Sequence, residues 1–374
     1  MNKAYKFRLY PNKEQRQFFA KSFGCCRFIY NKMLEDKIKH YEITNKMLMN
    51  TPAMYKGAYE WLKEVDSLAL ANVQLHLEKA YKNFFRDKKV GFPKFKSKRD
   101  HHQSYTTNNQ KGTIKIENGY VKVPKLKSKI KVKQHRDIGV SEQIKSATIS
   151  QTPTGKYYIS ILVVYDQAVM RTSKSNDSNI NIETTKVIGL DFSMKELYVS
   201  SQGDYAGYPR YYRKKLKQLK RAQRKLSLCK KESHNRNKQR EKVAILHEKI
   251  TNQRKDFLHK KSRQLTNDYD VVVIENLDLK AMSKTLKLGM SIADNGYGRF
   301  VDYLGYKLRD AGKQLIKVDK WYASSKICSQ CGKKKKELSL AERTFNCGCG
   351  YIEDRDINAS INIRNEGLRL LIAQ

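Results

Sequence analysis

The chain opens on strict alternation. In AYKFRLY, residues 4–10, Tyr5, Phe7 and Leu9 fall on one side of an extended segment and Lys6 and Arg8 on the other, which predicts a strand. Pro11 and Asn12 end it. From Lys13 to about Phe85 the apolar period becomes helical, with one face built from Phe18, Phe19, Phe23, Phe28, Ile29 and Met33 and another from Leu68, Leu75, Ala80 and Phe84. GFPKFKSKRDHH, rich in basic residues and carrying Gly and Pro, then breaks the periodicity. Residues 113–166 return to short strands. TIKIENGYVKVP alternates around Asn118-Gly119, a dipeptide suited to a type I′ hairpin turn, KIKVKQHR continues the theme, and SATISQTPTGKYYISILVVY folds back at Pro-Thr-Gly. A small β-barrel interrupted by a helical insertion is the simplest arrangement.

The polar, aperiodic stretch RTSKSNDSNINIETTK reads as a linker, and a second unit starts at Val187. VIGLDFS and ELYVSS predict a strand pair. Residues 211–266 are almost wholly helical, with an apolar row at Leu216, Leu219, Leu226, Val243, Leu246, Ile250 and Phe257, and a break near Glu232–Asn235 makes two antiparallel helices. VVVIENL and QLIKVDK predict two more strands, and DRDINASINIRNEGLRLL a terminal helix. No internal repeat is evident.

Charge adds a partner to this picture. Lys and Arg number 76 against 37 Asp and Glu in 374 residues, a formal charge of +39 spread along the whole chain. So basic a protein repels itself unless something anionic neutralises it, and nucleic acid is the usual candidate. A membrane surface competes. No apolar run approaches the about 20 residues of a bilayer span, and the N-terminus lacks a signal-peptide core, so a cytoplasmic, nucleoid-associated protein is expected. Candidate phosphate contacts are Lys94, Lys96 and Lys98, together with Arg213, Lys214, Arg221, Arg224 and Arg254 on the basic helices. A merely solvated helical face is the plainer reading of the same charges.

Two groups of residues carry chemistry. Asp191 ends one apolar strand and Glu275 follows four apolar residues, Val271–Ile274, positions where a carboxylate is costly unless paired or metal-bound. Asp356, at the start of the last helix, can close the set. Each acid alone reads as a capping or surface residue; three in matching contexts on a strongly basic chain predict a site for two Mg²⁺ ions that assist phosphodiester cleavage. Strand, strand, helices, strand, strand, terminal helix is the order of RNase H-like nucleases, and Asp, Glu, Asp along the chain resembles RuvC. The second group is Cys328-x2-Cys331, fifteen residues, then Cys347-x-Cys349. Four thiolates so spaced predict a tetrahedral, closed and therefore structural Zn²⁺ site, with C-x-C tightening the second pair. Cys25, Cys26 and Cys229 stand apart as ordinary thiols.

At this point GLDFSMKELYVSS, ENLDL, ADNGYGRF, WYASSKICSQCG and CGCGYIEDRDINASINI, with KFRLYPNKEQ and GFPKFKSKRDHHQSYTT nearer the N-terminus, resemble the TnpB (OrfB) family of insertion-sequence transposons. The resemblance spans nearly the whole chain. It implies an RNA-guided nuclease that cuts double-stranded DNA beside a short target-adjacent motif, with a guide RNA from the transposon end. It implies a β-barrel wedge domain (1–12 and 105–170), a helical recognition domain (13–104), a linker (171–186), a RuvC-like nuclease domain (187–322 and 352–374) and a zinc ribbon (323–351). Asp191, Glu275 and Asp356 fall on the family's catalytic acids, Asp356 being preferred to Asp354 because the family's acid stands two residues before the Asn of its N-A motif, here Asn358. The cysteines fall on its zinc ligands. Ala71 and Asn72 stand where many relatives have paired glutamines, which implies a different motif preference. A nuclease-silent RNA-guided repressor, a transposition accessory protein and a zinc-ribbon nucleic-acid chaperone are the alternatives. An HUH transposase is not, because His101-His102 are adjacent.

Overall fold

Strand β1 (Asn2–Tyr10) stops at Pro11, and helix α1 (Lys13–Thr44) starts at once through a capping box: the Asn12 side chain accepts from the Gln15 N–H at 2.9 Å while Gln15 Oε1 accepts from the Asn12 N–H at 3.0 Å. The computed structural model describes residues 2–99, 102–139, 142–164, 185–285, 289–339 and 342–373. The chain forms two compact units, residues 1–176 and 177–374. All of the expected linker except Thr185 and Lys186 lies outside the described residues.

In the first unit, α1 and α2 (Ser67–Arg86) are inserted between β1 and the strands β2 (Gln103–Asn108), β3 (Lys115–Glu117), β4 (Tyr120–Lys122), β5 (Ile130–Lys133), β6 (Gln143–Gln151) and β7 (Tyr157–Val164). Pairing is antiparallel throughout, in the order β2-β6-β7-β1-β5-β4-β3. Asn118 and Gly119 have φ of 50° and 75°, both positive as a type I′ turn requires. Phe7, Leu9, Val121, Ile130, Ile159 and Ile161 bury one face of this sheet against Phe19, Phe23 and Ile29 of α1. Strand β2 lies partly within the segment expected to belong to the helical insertion. Its residues QSYTTN carry few of the aliphatic side chains that advertise a strand, and its pairing with β6 holds it.

The second unit is built on a four-stranded sheet of β8 (Val187–Ser193), β9 (Leu197–Ser200), β10 (Val271–Glu275) and β11 (Gln314–Val318), in the order β11-β10-β8-β9. Strands β8, β10 and β11 are parallel and β9 is antiparallel to β8. One face takes the antiparallel helix pair α3 (Tyr211–Leu228) and α4 (His234–Asp268), then α5 (Leu279–Thr285), α6 (Gly289–Asn295) and α7 (Tyr297–Asp310); the opposite face takes α8 (Arg355–Ile372). The break between α3 and α4 falls where expected, with Ser233 capping α4. Helix α7 is not among the expected elements, although Tyr297, Phe300, Leu304 and Leu308 repeat at helical spacing and are all buried. The ribbon β12 (Thr344–Asn346) and β13 (Ile352–Asp354) precedes α8. Among the described residues no helix is long and apolar enough to cross a membrane.

Candidate active site and metal centre

Strands β8 and β10 pair directly, with Leu190 opposite Ile274, so the next residue of each, Asp191 and Glu275, stands at the carboxyl end of a neighbouring strand. Alternation then assigns the faces. Leu190 and Ile274 point to the α4–α7 side, and Asp191 and Glu275 share the other face with Gly189 and Val273. That face receives α8 at very close range. A Cβ on Gly189 would lie 2.2 Å from the Ser360 carbonyl oxygen, and one on Gly367 would lie 2.3 Å from Val273 Cγ2. The two glycines thus let α8 settle on the sheet, and Asp356 in its first turn joins Asp191 and Glu275 in lining one cleft of about 780 Å³.

Asp354 also lines the cleft, but its carboxylate is committed. It caps α8, accepting from the backbone N–H groups of Asp356 (2.8 Å) and Ile357 (3.2 Å). Asp356 instead meets Arg355, whose Nη2 approaches Oδ1 at 3.1 Å. Burial raises the Asp191 carboxyl well above the ordinary Asp range, and Glu275 and Asp356 raise it further, while Arg355 opposes them. Glu275 is raised by burial against the hydrogen bond donated by Ser324 Oγ. Three crowded acids with an all-oxygen donor set are the chemistry of a hard divalent cation. Burial raises the hydroxyl of the buried Tyr297 on α7, and the charges of Asp191 and Glu275 raise it further.

Sequence reasoning misses the residues that hold this site together. Asn358 and Asn362, one turn apart on α8 and buried, fasten the segment that carries Ser324. Asn362 Nδ2 donates to the carbonyls of Ser324 (2.8 Å) and Ile327 (2.6 Å), and Asn358 donates to Ile327 (2.8 Å) and accepts from the Ser329 N–H (2.9 Å). The signal is the repeat Asn-x-x-x-Asn, two polar residues on the core side of an amphipathic helix.

The segment then enters the cysteine cluster. All four sulfurs of Cys328, Cys331, Cys347 and Cys349 lie within 4.8 Å of one another, with Cys328–Cys349 at 3.8 Å and Cys331–Cys347 at 3.6 Å. A tetrahedral ion bound at about 2.3 Å sets sulfur edges of roughly 3.8 Å, which the Cys328–Cys349 and Cys331–Cys347 pairs match. Among the described residues this is the one group of three or more ligating side chains closed so tightly; the three acids share a cleft but do not approach one another to that degree.

The expected phosphate contacts divide. Arg213, Lys214, Arg221 and Arg224 are exposed on α3, Lys94 and Lys98 are exposed in the loop after α2, and Ala71 is exposed on α2 itself. Three others have different work. Arg254 turns inward and donates through Nη1 to the Ala293 carbonyl at 2.5 Å; Asn72 is buried and donates to the Leu68 carbonyl at 2.8 Å; the Lys96 ammonium sits 4.0 Å from the Tyr30 ring centroid. A further basic surface, outside the expected set, lies on the outer face of the first unit's sheet. Register places Arg8 opposite both Lys133 and Tyr158, and Lys131 opposite both Tyr10 and Tyr120, all on the face that the core does not use. Arg8 lies 5.1 Å from the Tyr158 ring and Lys6 4.8 Å from it. The exposed half of KFRLY is its signal. Cations interleaved with tyrosines suit a polyanion carrying flat bases. Replacing Arg8, Lys131 and Lys133 together by Gln is expected to lower the salt slope of RNA binding by about 2, at roughly 0.7 for each phosphate no longer neutralised. Filter binding over a salt series measures it, and an unchanged slope counts against this face.

Comparison with known proteins gives three kinds of match. The family profile OrfB_IS605, "Probable transposase", matches residues 170–286; "Cas12f1-like, TNB domain" matches 297–363; a "Helix-turn-helix domain" profile matches 1–46, where the structure has a strand and one continuous helix. The chain is 31% identical to the "Putative RNA-guided DNA endonuclease" of Streptomyces pristinaespiralis, covering 98% of this chain and 90% of that one. It is 32% identical to the "Putative RNA-guided DNA endonuclease InsQ" of Escherichia coli K12, covering 98% and 93%. In fold it resembles the protein of a Cas12f1–sgRNA–target DNA complex, with a TM-score of 0.61 at 14% identity over 98% of this chain and 99% of that one.

Proposed function

Because the chain belongs to the TnpB (OrfB) family, we propose that it is an RNA-guided endonuclease that cuts double-stranded DNA beside a short target-adjacent motif, directed by a guide RNA from the transposon end. What carries this reading is the meeting of Asp191, Glu275 and Asp356 in one cleft of a chain whose formal charge is +39. One acidic pocket inside a cationic molecule is what metal-assisted hydrolysis of a polyanion needs. In this reading residues 187–322 and 352–374 form a RuvC-like nuclease domain, 323–351 a zinc ribbon, 1–12 and 105–170 the wedge barrel and 13–104 the recognition domain.

Asp191, Glu275 and Asp356 would hold two Mg²⁺ ions, which when bound activate water and stabilise the leaving oxygen of a phosphodiester. The protein's own part is positional. Ser324 fixes the Glu275 carboxylate through its hydroxyl, and α8, seated through Gly189 and Gly367, sets the height of Asp356. Arg355 holds Asp356 through Oδ1 and offsets its charge. The test is to sequence the RNA that copurifies with the protein and to offer a duplex matching that RNA's variable end. Cutting of the matched duplex in Mg²⁺, but not of a scrambled one, is expected. Binding without cutting would favour an RNA-guided repressor instead.

The cysteine quartet is proposed to hold a structural Zn²⁺. Four thiolates leave the ion no open position, so its contribution is to folding. Freshly purified protein should contain about one zinc per chain by elemental analysis. Cys328→Ser with Cys331→Ser should lose the zinc and melt at lower temperature. Wild-type protein that is folded yet zinc-free would remove the assignment.

A further inference from the structure

Tryptophan is scarce in this chain, with two residues, and they are used differently. Trp61 belongs to a ring cluster, 4.9 Å from Phe28 and 6.1 Å from Tyr59. Trp321 is 81% exposed, and among the described residues no aromatic ring packs against it. Leaving so large an apolar surface in water is unfavourable, since a buried Trp removes about 150–250 Å² from solvent.

The exposure does not come from a loose loop. Before Trp321, Val318 is fully buried in β11, and Asp319 Oδ1 accepts the Trp321 N–H at 2.8 Å. After it, the Tyr322 N–H donates to the Asp319 carbonyl at 3.1 Å, the Tyr322 ring packs on the core under α8, and buried Ser324 reaches Glu275. The indole is therefore held out in water by a turn fixed at both ends. It stands three residues, at most about 11 Å of extended chain, from a residue lining the acidic cleft. Lys320 covers one face, its ammonium 4.8 Å from the ring centroid. That charge suits an anion, and a flat ring with its other face open suits a flat partner.

We propose that Trp321 is a base-stacking platform. An unpaired nucleobase of the DNA strand entering the carboxylate cleft stacks on the free indole face, with Lys320 against the adjoining phosphate. This rests on the endonuclease reading. Stacking requires no particular base, so the platform grips a strand whose sequence was checked elsewhere. It holds that strand's backbone steady beside Asp191, Glu275 and Asp356.

The indole itself supplies the test. In protein with its copurified RNA carrying Trp61→Phe and Asp191→Ala, Trp321 is the one indole emitter and DNA is not cut. Titration with a single-stranded oligonucleotide should quench its emission saturably, in step with the anisotropy of the same labelled oligonucleotide. Trp321→Leu should weaken oligonucleotide binding by roughly 5- to 150-fold, the range for loss of one base–aromatic stack, and Trp321→Phe should restore most of it. Saturated anisotropy with unmoved emission overturns the proposal, as does failure to bind the oligonucleotide. The two readings fail separately. If Trp321 emission is quenched but wild-type protein never cuts a matched duplex, the endonuclease reading falls and the platform stands. If cutting is normal and emission does not respond, the reverse holds.

Discussion

Asp191→Ala is expected to abolish DNA cleavage while leaving RNA and target binding close to wild type, and Glu275→Gln and Asp356→Ala should do the same. Each acid brings ligand charge that a neutral side chain cannot supply, so the loss should exceed the roughly 10²–10³-fold that follows removal of one electrostatic stabiliser. Chelation of Mg²⁺ should mimic all three. The protonation of Asp191 adds a second readout that a surface acid would not give. Its folded-state pKa lies well above the ordinary Asp value, so between those two values the folded state holds more protons than the unfolded one. Stability must then fall as pH rises through that window, with the full cost present at higher pH. In metal-free protein Asp191→Asn should therefore raise Tm at neutral pH, and the gain should disappear on acidification below the ordinary Asp range. Activity of each variant is read with the copurified RNA and a matched duplex. Three variants that cut as well as wild type would end the active-site assignment.

Gly189→Ala should be nearly as damaging, although glycine has no side chain to offer metal or nucleic acid. The added carbon would stand 2.2 Å from the Ser360 carbonyl oxygen and 2.6 Å from the Arg364 backbone nitrogen, and neither can rotate aside. Helix α8 must lift, and Asp356, one turn before Ser360, lifts with it. Overpacking against backbone is expected to cost about 3 kcal/mol, or roughly 6–12 °C in the Tm of a unit this size. A displacement near 1 Å can cost on the order of 10² in rate. Gly367→Ala provides the contrast. Its new carbon would meet Val273 Cγ2 at 2.3 Å and Cγ1 at 2.5 Å, both side-chain methyls, so Val273→Ala should restore much of the loss. No trimming of a side chain rescues Gly189→Ala. A Gly189→Ala protein with wild-type Tm and cleavage would show that α8 does not set the height of Asp356.

Local pattern is enough for every part of this protein whose cause is local. Alternation in KFRLY predicts β1, Asn118-Gly119 predicts the hairpin between β3 and β4, and Cys-x-x-Cys followed by Cys-x-Cys predicts a cluster, because each depends on dihedral preference or short-range reach. The strand-end positions of Asp191 and Glu275 are legible for the same reason: an acid after an apolar run declares its own cost. Partnership is not legible. That β8 lies beside β10, with Leu190 opposite Ile274, is a choice among strand orders that no stretch of residues records. Arg254 and Asn72 show the same limit from the other side. Their side-chain chemistry suits nucleic acid, yet long-range packing turns Arg254 to Ala293 and buries Asn72 under β2 residue Asn108. Asp354 and Asp356, two residues apart and chemically identical, are separated by the helix start: the first spends an oxygen on orphan N–H groups, while the second meets Arg355 at the cleft. Periodicity reports which side of its own element a residue occupies. What stands on that side is decided by contacts between elements, and here by two glycines whose missing side chains allow a helix to lie against a sheet.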